Sequence, residues 1–224
     1  KAAVLTNENI AKASKYPILL VKNSKKALED LAFYARDNIN VKRILVTGTE
    51  GKTGFKNQLY FLLNHQTNSH ATLDSSNLNV PILCSMASIT VDDKVEIIEA
   101  SVAEPNVGVI RSNLVKPDIC VITEVGFEHI ASHGSFENLI DNKASIIDGL
   151  KQDGICVLNA DSINYDLIRE AIYKRKYVKI VTFGSNKKCN ARLIDAKFNT
   201  KKLVWNIKSS IYGIEISYSV PLLG

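Results

Sequence analysis

The run Ile44-Leu45-Val46-Thr47-Gly48-Thr49-Glu50-Gly51-Lys52-Thr53 carries the clearest chemical signal in this chain. A β-branched, apolar stretch enters a glycine-containing turn. It continues into a stretch with Phe55, Leu59, Leu62 and Leu63 at helical spacing. Phosphate binding needs backbone N–H groups that can approach closely, which glycines permit, at a helix N-terminus whose dipole favours anions. On this reading Gly48, Thr49, Glu50, Gly51 and Gly54 belong to a phosphate cradle. Lys52 reaches the terminal phosphates of a nucleotide, and the Thr53 hydroxyl ligates Mg²⁺. The general P-loop pattern has a glycine at position 46, where this chain has Val46, so the match is to a shorter G-x-x-G-K-T form. The plain alternative is a Gly-rich strand-to-helix turn with an exposed lysine.

Three further residues stand where chemistry could use them. Glu99 ends the strand-like run Val95-Glu96-Ile97-Ile98, and a carboxylate at the carboxyl end of a parallel strand can hold a nucleotide's magnesium. A solvated strand-end glutamate explains the same position. His129 follows Ile119 to Thr123 after a short loop; alone it reads as a surface residue, as does His133 nearby. Lys143 lies mid-helix beside Ile140, Ala144 and Ile147, near the core-facing edge, where a snorkelling lysine is the ordinary explanation.

The elements that must position these groups alternate. Short apolar runs at Ile18 to Val21, Ile44 to Thr47, Val95 to Ile98, Ile119 to Thr123, Ile155 to Leu158 and Val178 to Phe183 are separated by helical stretches. That order predicts an α/β fold, a doubly wound and mostly parallel sheet. Ser24 is the expected N-cap of a helix with Leu28, Leu31, Ala32 and Ala35 on its apolar face. Ser135 should cap a helix from Phe136 to about Leu150, and Ile163, Leu167, Ile168 and Ile172 form another stripe. Beyond Phe183-Gly184, the segments Ala191 to Phe198, Lys202 to Ile207 and Ile214 to Val220 read as a small antiparallel β unit, with Trp205 in its core.

Composition removes several function classes. The chain has 224 residues, 46% of them hydrophobic and 23% charged, which excludes disordered and fibrous classes. The net charge of +5 is scattered, and its densest run, Lys174, Arg175, Lys176 and Lys179, reads as a solvated helix end, so no nucleic-acid partner is expected. Cys84, Cys120, Cys156 and Cys189 form no CxxC pair and read as reduced thiols of a cytoplasmic protein. No apolar run is long enough for a membrane span, so no membrane partner is expected.

Taken in order, these residues resemble the muramyl ligase family, ATP-dependent amide ligases that build peptidoglycan stem peptides. The resemblance rests on Thr47 to Thr53, Glu99, Lys116-Pro117-Asp118 leading into Val121-Ile122-Thr123, and His129. It continues through His133-Gly134-Ser135, Lys143, and Leu158-Asn159-Ala160-Asp161 before Phe183-Gly184. It implies that Lys52 and the loop amides hold the β- and γ-phosphates of ATP, and that Thr53 and Glu99 bind one Mg²⁺. His129 and a carbamylated Lys143 would bind a second, making Lys52, His129 and Lys143 the catalytic set. A substrate carboxylate would be phosphorylated to an acyl phosphate, which an amine then attacks.

The stretch from Lys26 to Ala32 and the Lys-Pro-Asp step look most like the branch that joins a D-amino-acid dipeptide, D-alanyl-D-alanine, to a UDP-muramyl tripeptide. By the same resemblance residues 1–21 are the tail of an N-terminal UDP-substrate domain. Residues 22–224 are then the central ATP-binding domain, without the C-terminal domain, and the protein is expected to be a monomer. The chain departs from the family at Gly54, Glu124 and Glu128, at Ala100-Ser101, and in a shortened loop, Ser76-Asn77-Leu78-Asn79-Val80-Pro81. Those departures keep two alternatives open: a related ligase with another amino acid or peptide and a non-wall product, and a nucleotide-binding module without catalysis.

Overall fold

The computed structural model describes residues 4–6, 18–128 and 130–221. In chain order its elements are β1 (Val4–Thr6), β2 (Ile18–Leu20), α1 (Ser24–Asn38), β3 (Lys42–Thr47), α2 (Lys52–Asn64), β4 (Ser69–Ala71), α3 (Asn79–Ser88) and β5 (Val95–Glu99). There follow α4 (Val107–Val115), β6 (Ile119–Ile122), α5 (Ile130–His133), α6 (Phe136–Ala144) with a 3₁₀ turn at Ser145–Ile147, β7 (Ile155–Asn159), α7 (Tyr165–Arg175) and β8 (Lys179–Gly184). The antiparallel unit is β9 (Ala191–Asn199), β10 (Val204–Ile211) and β11 (Ile214–Pro221).

One nine-stranded sheet has the order β11-β10-β9-β8-β7-β6-β3-β5-β4. From β4 to β9 neighbouring strands are parallel, and β9, β10 and β11 pair antiparallel. The chain leaves β3 for β4 and then β5 on one side and later crosses to β6 on the other. The loop after β3 therefore emerges where the strand order reverses, the place in a doubly wound sheet where ligands bind. Ile18–Leu20 stays outside this sheet and pairs in parallel with Val4–Thr6.

Side chains alternate strictly about the sheet. Leu45, Ile98, Cys120, Ile122, Cys156 and Leu158 point to one face, where residues of α1, α3, α4, α6 and α7 complete the larger core. Ile44, Val46, Ile97 and Val121 point to the other, under Phe55, Leu59 and Leu63 of α2. The core strands are thus buried on both sides, which explains their almost wholly apolar sequences.

Several expectations need correction. Asn23, not Ser24, is the N-cap of α1, its side chain accepting from the Lys26 N–H at 3.0 Å. Ser135 caps α6 as expected, but the α-helix stops at Ala144 and tightens into the 3₁₀ turn. Leu31, Leu62, Ile163 and Leu167 are exposed, because each stripe is narrower than its sequence spacing allowed. Trp205 is 40% exposed and leans on Phe198 with ring centroids 5.3 Å apart; among the described residues no helix packs over the β9–β11 ribbon to make a core. Arg175 is not merely solvated, since it pairs with Asp148 at 2.7 Å and with Asp141. Five elements, β1, β4, α3, α4 and α5, had no sequence assignment. All four cysteines are free thiols, with Cys120 and Cys156 buried.

The helices of the larger core meet closely. A Cβ at Gly108 in α4 would lie 2.2 Å from the Asn142 carbonyl oxygen and 2.3 Å from Ser145 Oγ, whereas one at Gly54 in α2 would meet nothing within 4 Å. Gly108→Ala should therefore destabilise by about 2 kcal/mol through overpacking. Gly54→Ala should stabilise by roughly 0.5 kcal/mol through helix propensity. Urea unfolding midpoints read both, and equal midpoints would contradict the packing described.

Candidate active site

The turn between β3 and α2 is shaped by what lies under it. Gly48 has φ 151°, and a Cβ there would stand 2.1 Å from Thr123 Oγ1, so a side chain is excluded by contact as well as by conformation. The Thr123 hydroxyl lies 2.6 Å from the Glu50 carbonyl and 3.2 Å from that of Thr47. The Thr49 N–H donates to the Glu124 carbonyl at 2.6 Å, and the Gly126 N–H donates to Thr49 Oγ1 at 2.9 Å. The end of β6 thus braces the curl on its underside. Gly51, in the left-handed region, is the N-cap of α2 and supplies no side-chain cap to its first N–H groups, which face an incoming anion by default. Lys52 folds over the curl, its ammonium donating to the carbonyls of Gly48 at 2.9 Å and Thr49 at 2.7 Å.

Beside the curl, Thr53 Oγ1 donates to Glu99 Oε1 at 3.0 Å, and Asn77 Nδ2 donates to the same oxygen at 3.1 Å. Glu99 is 1% exposed, and its backbone N–H donates to Thr72 Oγ1. The other carboxylate oxygen, Oε2, has no hydrogen bond among the described residues; the Lys56 ammonium lies 3.4 Å away without the alignment of one. A buried carboxylate oxygen short of partners, next to a hydroxyl, is a donor set that fits a hard cation such as Mg²⁺. Among the described residues no three His, Cys, Asp or Glu side chains converge into a cage. Such an ion would draw its remaining oxygens from phosphate and water, as Mg²⁺ commonly does.

Lys143 is a buried residue of the last turn of α6. It is 2% exposed, and burial above all, then the charge of Lys52, pushes its ammonium down to about 8, against a smaller opposing pull from Glu128. The influence of Lys52 means that two lysines distant in sequence lie within electrostatic reach of one another. His129 lies outside the described residues.

Residues 46–224 match the Mur ligase middle domain. The chain belongs to the Mur ligase family. It is 29% identical to the UDP-N-acetylmuramoyl-tripeptide–D-alanyl-D-alanine ligase of Rickettsia prowazekii, over 86% of this chain and 43% of that one. It is 26% identical to the ligase of the same name from Bacillus subtilis, over 100% of this chain and 47% of that one. The chain therefore spans less than half the length of these relatives. Its fold is that of the MurF ligase from Thermotoga maritima crystallised in complex with ADP, with a TM-score of 0.77 at 20% identity, covering 98% of this chain and 49% of that one.

Within this Mur ligase domain the residues that depart from the family pattern have definite places. Glu124 turns away from the curl, accepting from Asn159 Nδ2 at 3.1 Å and Ser162 Oγ at 2.5 Å at the end of β7. Asn77 of the shortened loop holds Glu99, while Asn79 Oδ1 accepts from Arg111 Nε at 3.0 Å. His133, read above as a surface position, is instead buried, with Nε2 2.8 Å from Asn142 Nδ2. Sequence reasoning overlooked Thr123 as a brace, Asn77 as a partner of Glu99, and Lys56 altogether. For Lys56 a signal existed: it follows Lys52 by four residues and precedes Leu59 by three, which puts it on the helix face that meets the sheet.

The depressed value of Lys143 sets the sign of a pH effect. Below about 8 the folded protein keeps a buried ammonium that the unfolded chain keeps in water; above the ordinary value of 10.5 both are neutral. Stability from this group therefore rises as pH increases from about 8 toward 10.5. In CO₂-free buffer, wild type minus Lys143→Met should gain up to about 3 kcal/mol across that window, read by denaturant unfolding. A flat difference would mean that the amine is not desolvated.

Proposed function

We propose that this chain is the ATP-binding domain of an amide ligase that adds D-alanyl-D-alanine to UDP-muramyl tripeptide. Residues 22–224 form the ATP-binding domain, and residues 1–21 are the tail of a preceding substrate domain. The observation that carries the reading is the braced curl ending in Lys52, with Thr53 and Glu99 joined at its side. The amides of Gly48 to Gly54 and the Lys52 ammonium bind the β- and γ-phosphates of ATP; the contacts of Lys52 with the Gly48 and Thr49 carbonyls keep it at the mouth of the curl. Thr53 and Glu99 would hold one Mg²⁺, and His129 with Lys143 a second. Magnesium, when bound, neutralises charge on the transferring phosphoryl group.

The γ-phosphoryl moves to an oxygen of the substrate carboxylate as ADP leaves. The amine then attacks the acyl carbon, phosphate departs, and the amine loses a proton. Lys52 stabilises charge building on the phosphoryl oxygens. At about 8, Lys143 has an accessible neutral amine, the form that adds CO₂ to give a carbamate and a proton. The carbamate converts an unfavourably buried cation into an anionic oxygen ligand. Beyond Glu99, between the starts of α3 and α4, a cavity of about 370 Å³ lined by Asn79, Pro81, Ser101 and Arg111 offers space for the acyl substrate.

Phosphate release by the full-length protein tests this, with Mg-ATP, UDP-muramyl tripeptide and D-alanyl-D-alanine, each omitted in turn. Release should require both acceptor and donor and should fall at least about 100-fold in Lys52→Ala. Wild-type turnover in that variant would overturn the assignment of the phosphate site. ATP binding without release would favour a module that lacks catalysis.

A further inference from the structure

Lys56 is 0% exposed, yet the ligase chemistry above gives it no part. Its ammonium donates to the carbonyl of Asp74 and lies 3.4 Å from Glu99 Oε2. That oxygen has no hydrogen bond among the described residues, while its twin serves both Thr53 and Asn77. Asp74 itself sits in the left-handed region, φ 42°, a conformation its surroundings must hold in place and one that presents the carbonyl to Lys56. A carboxylate almost wholly removed from water needs a compensating cation. The lysine supplies it from a distance, fixed by the Asp74 carbonyl rather than by a full hydrogen bond to Glu99.

We propose that Lys56 is a stand-in cation: it neutralises Glu99 until a divalent metal arrives, gives way to the metal, and thereby weakens the site's metal affinity. With Lys56 charged, the metal meets a pair of net charge zero; without it, the metal meets an uncompensated carboxylate, to which it is drawn more strongly. The inference rests on Glu99 as a metal ligand, proposed above. Lys56 acts through Glu99, as a positioning residue.

The test is the Mn²⁺ dissociation constant of the full-length protein saturated with ADP, read by the electron paramagnetic resonance signal of free Mn²⁺. Lys56→Gln keeps an N–H donor for Asp74 but removes the charge, and should bind Mn²⁺ about tenfold more tightly. Lys56→Arg keeps the charge and should stay within about threefold of wild type. Glu99→Gln should bind at least about tenfold more weakly. A Lys56→Gln variant no tighter than wild type, beside a weakened Glu99→Gln, would overturn the role of Lys56 alone. An unaltered Glu99→Gln would overturn the metal assignment beneath it. Should Lys56→Gln not fold, crystal structures of the wild type decide. With Mn²⁺ and ADP bound, the Lys56–Glu99 separation should exceed 4 Å while the Asp74 contact persists; an unchanged 3.4 Å pair with metal seated would overturn the proposal.

Discussion

The structure depends on how closely the end of β3 approaches the end of β6. Gly48 passes over Thr123 with no space for one more carbon, and the Thr123 hydroxyl reaches the Glu50 carbonyl beyond it. Each hydrogen bond of this kind contributes only about 1 kcal/mol, but a buried carbonyl left without a partner costs more. The curl is held by several such bonds from one strand end, so its amides are oriented before any ligand reaches them. Lys52, Thr53 and the first turn of α2 inherit that orientation because the helix starts where the curl stops.

Strand β5 carries charge on both of its faces. Glu96 points toward α1 and α3, where Arg43 pairs with it at 3.0 Å and Ser85 Oγ donates to it; burial pushes its carboxyl up to about 7 despite the guanidinium. Glu99, three residues on and therefore on the opposite face, meets Lys56 and Thr53 under α2. Arg43 lies opposite Glu96 in the strand register, so that pair tightens the join between β3 and β5. Glu99 stands at the open end of the strands, where the same kind of charge is available to ligands. Removing one partner of a buried pair of the first sort is strongly destabilising, because it leaves the other charge buried and uncompensated.

Much of this was legible in the sequence because it is local. A strand, a glycine turn and an amphipathic helix in succession leave few alternatives, and the apolar runs of β3, β5, β6 and β7 are long enough to announce themselves. What escaped has a common cause. Strand β4 is only three residues, and α3 and α4 lack the side-chain caps that mark helix starts. Lys56 was passed over because its partners, Glu99 and the Asp74 carbonyl, come from distant segments. His133 read as a surface residue because nothing in its neighbourhood predicts Asn142. Trp205 failed in the other direction: an aromatic in a strand pattern implies a core only if something covers the strand.

The β9–β11 ribbon continues the sheet but barely shares its ladder. Its ladder with β8 has two pairs, Phe183 with Ala191 and Gly184 with Arg192. Asp161, at the end of the β7 loop, fastens the joint by accepting from the Ser185 N–H at 2.7 Å and its hydroxyl at 3.1 Å. Asn190 adds a second clasp, accepting from the Thr182 N–H at 2.9 Å and donating its own N–H to Thr182 Oγ1 at 3.3 Å, so the long ribbon is carried by one short joint. Its pitch relative to the rest of the sheet is set at that joint, so a small rotation there displaces the tip of β10 and β11 much farther than it displaces the curl at the end of β3.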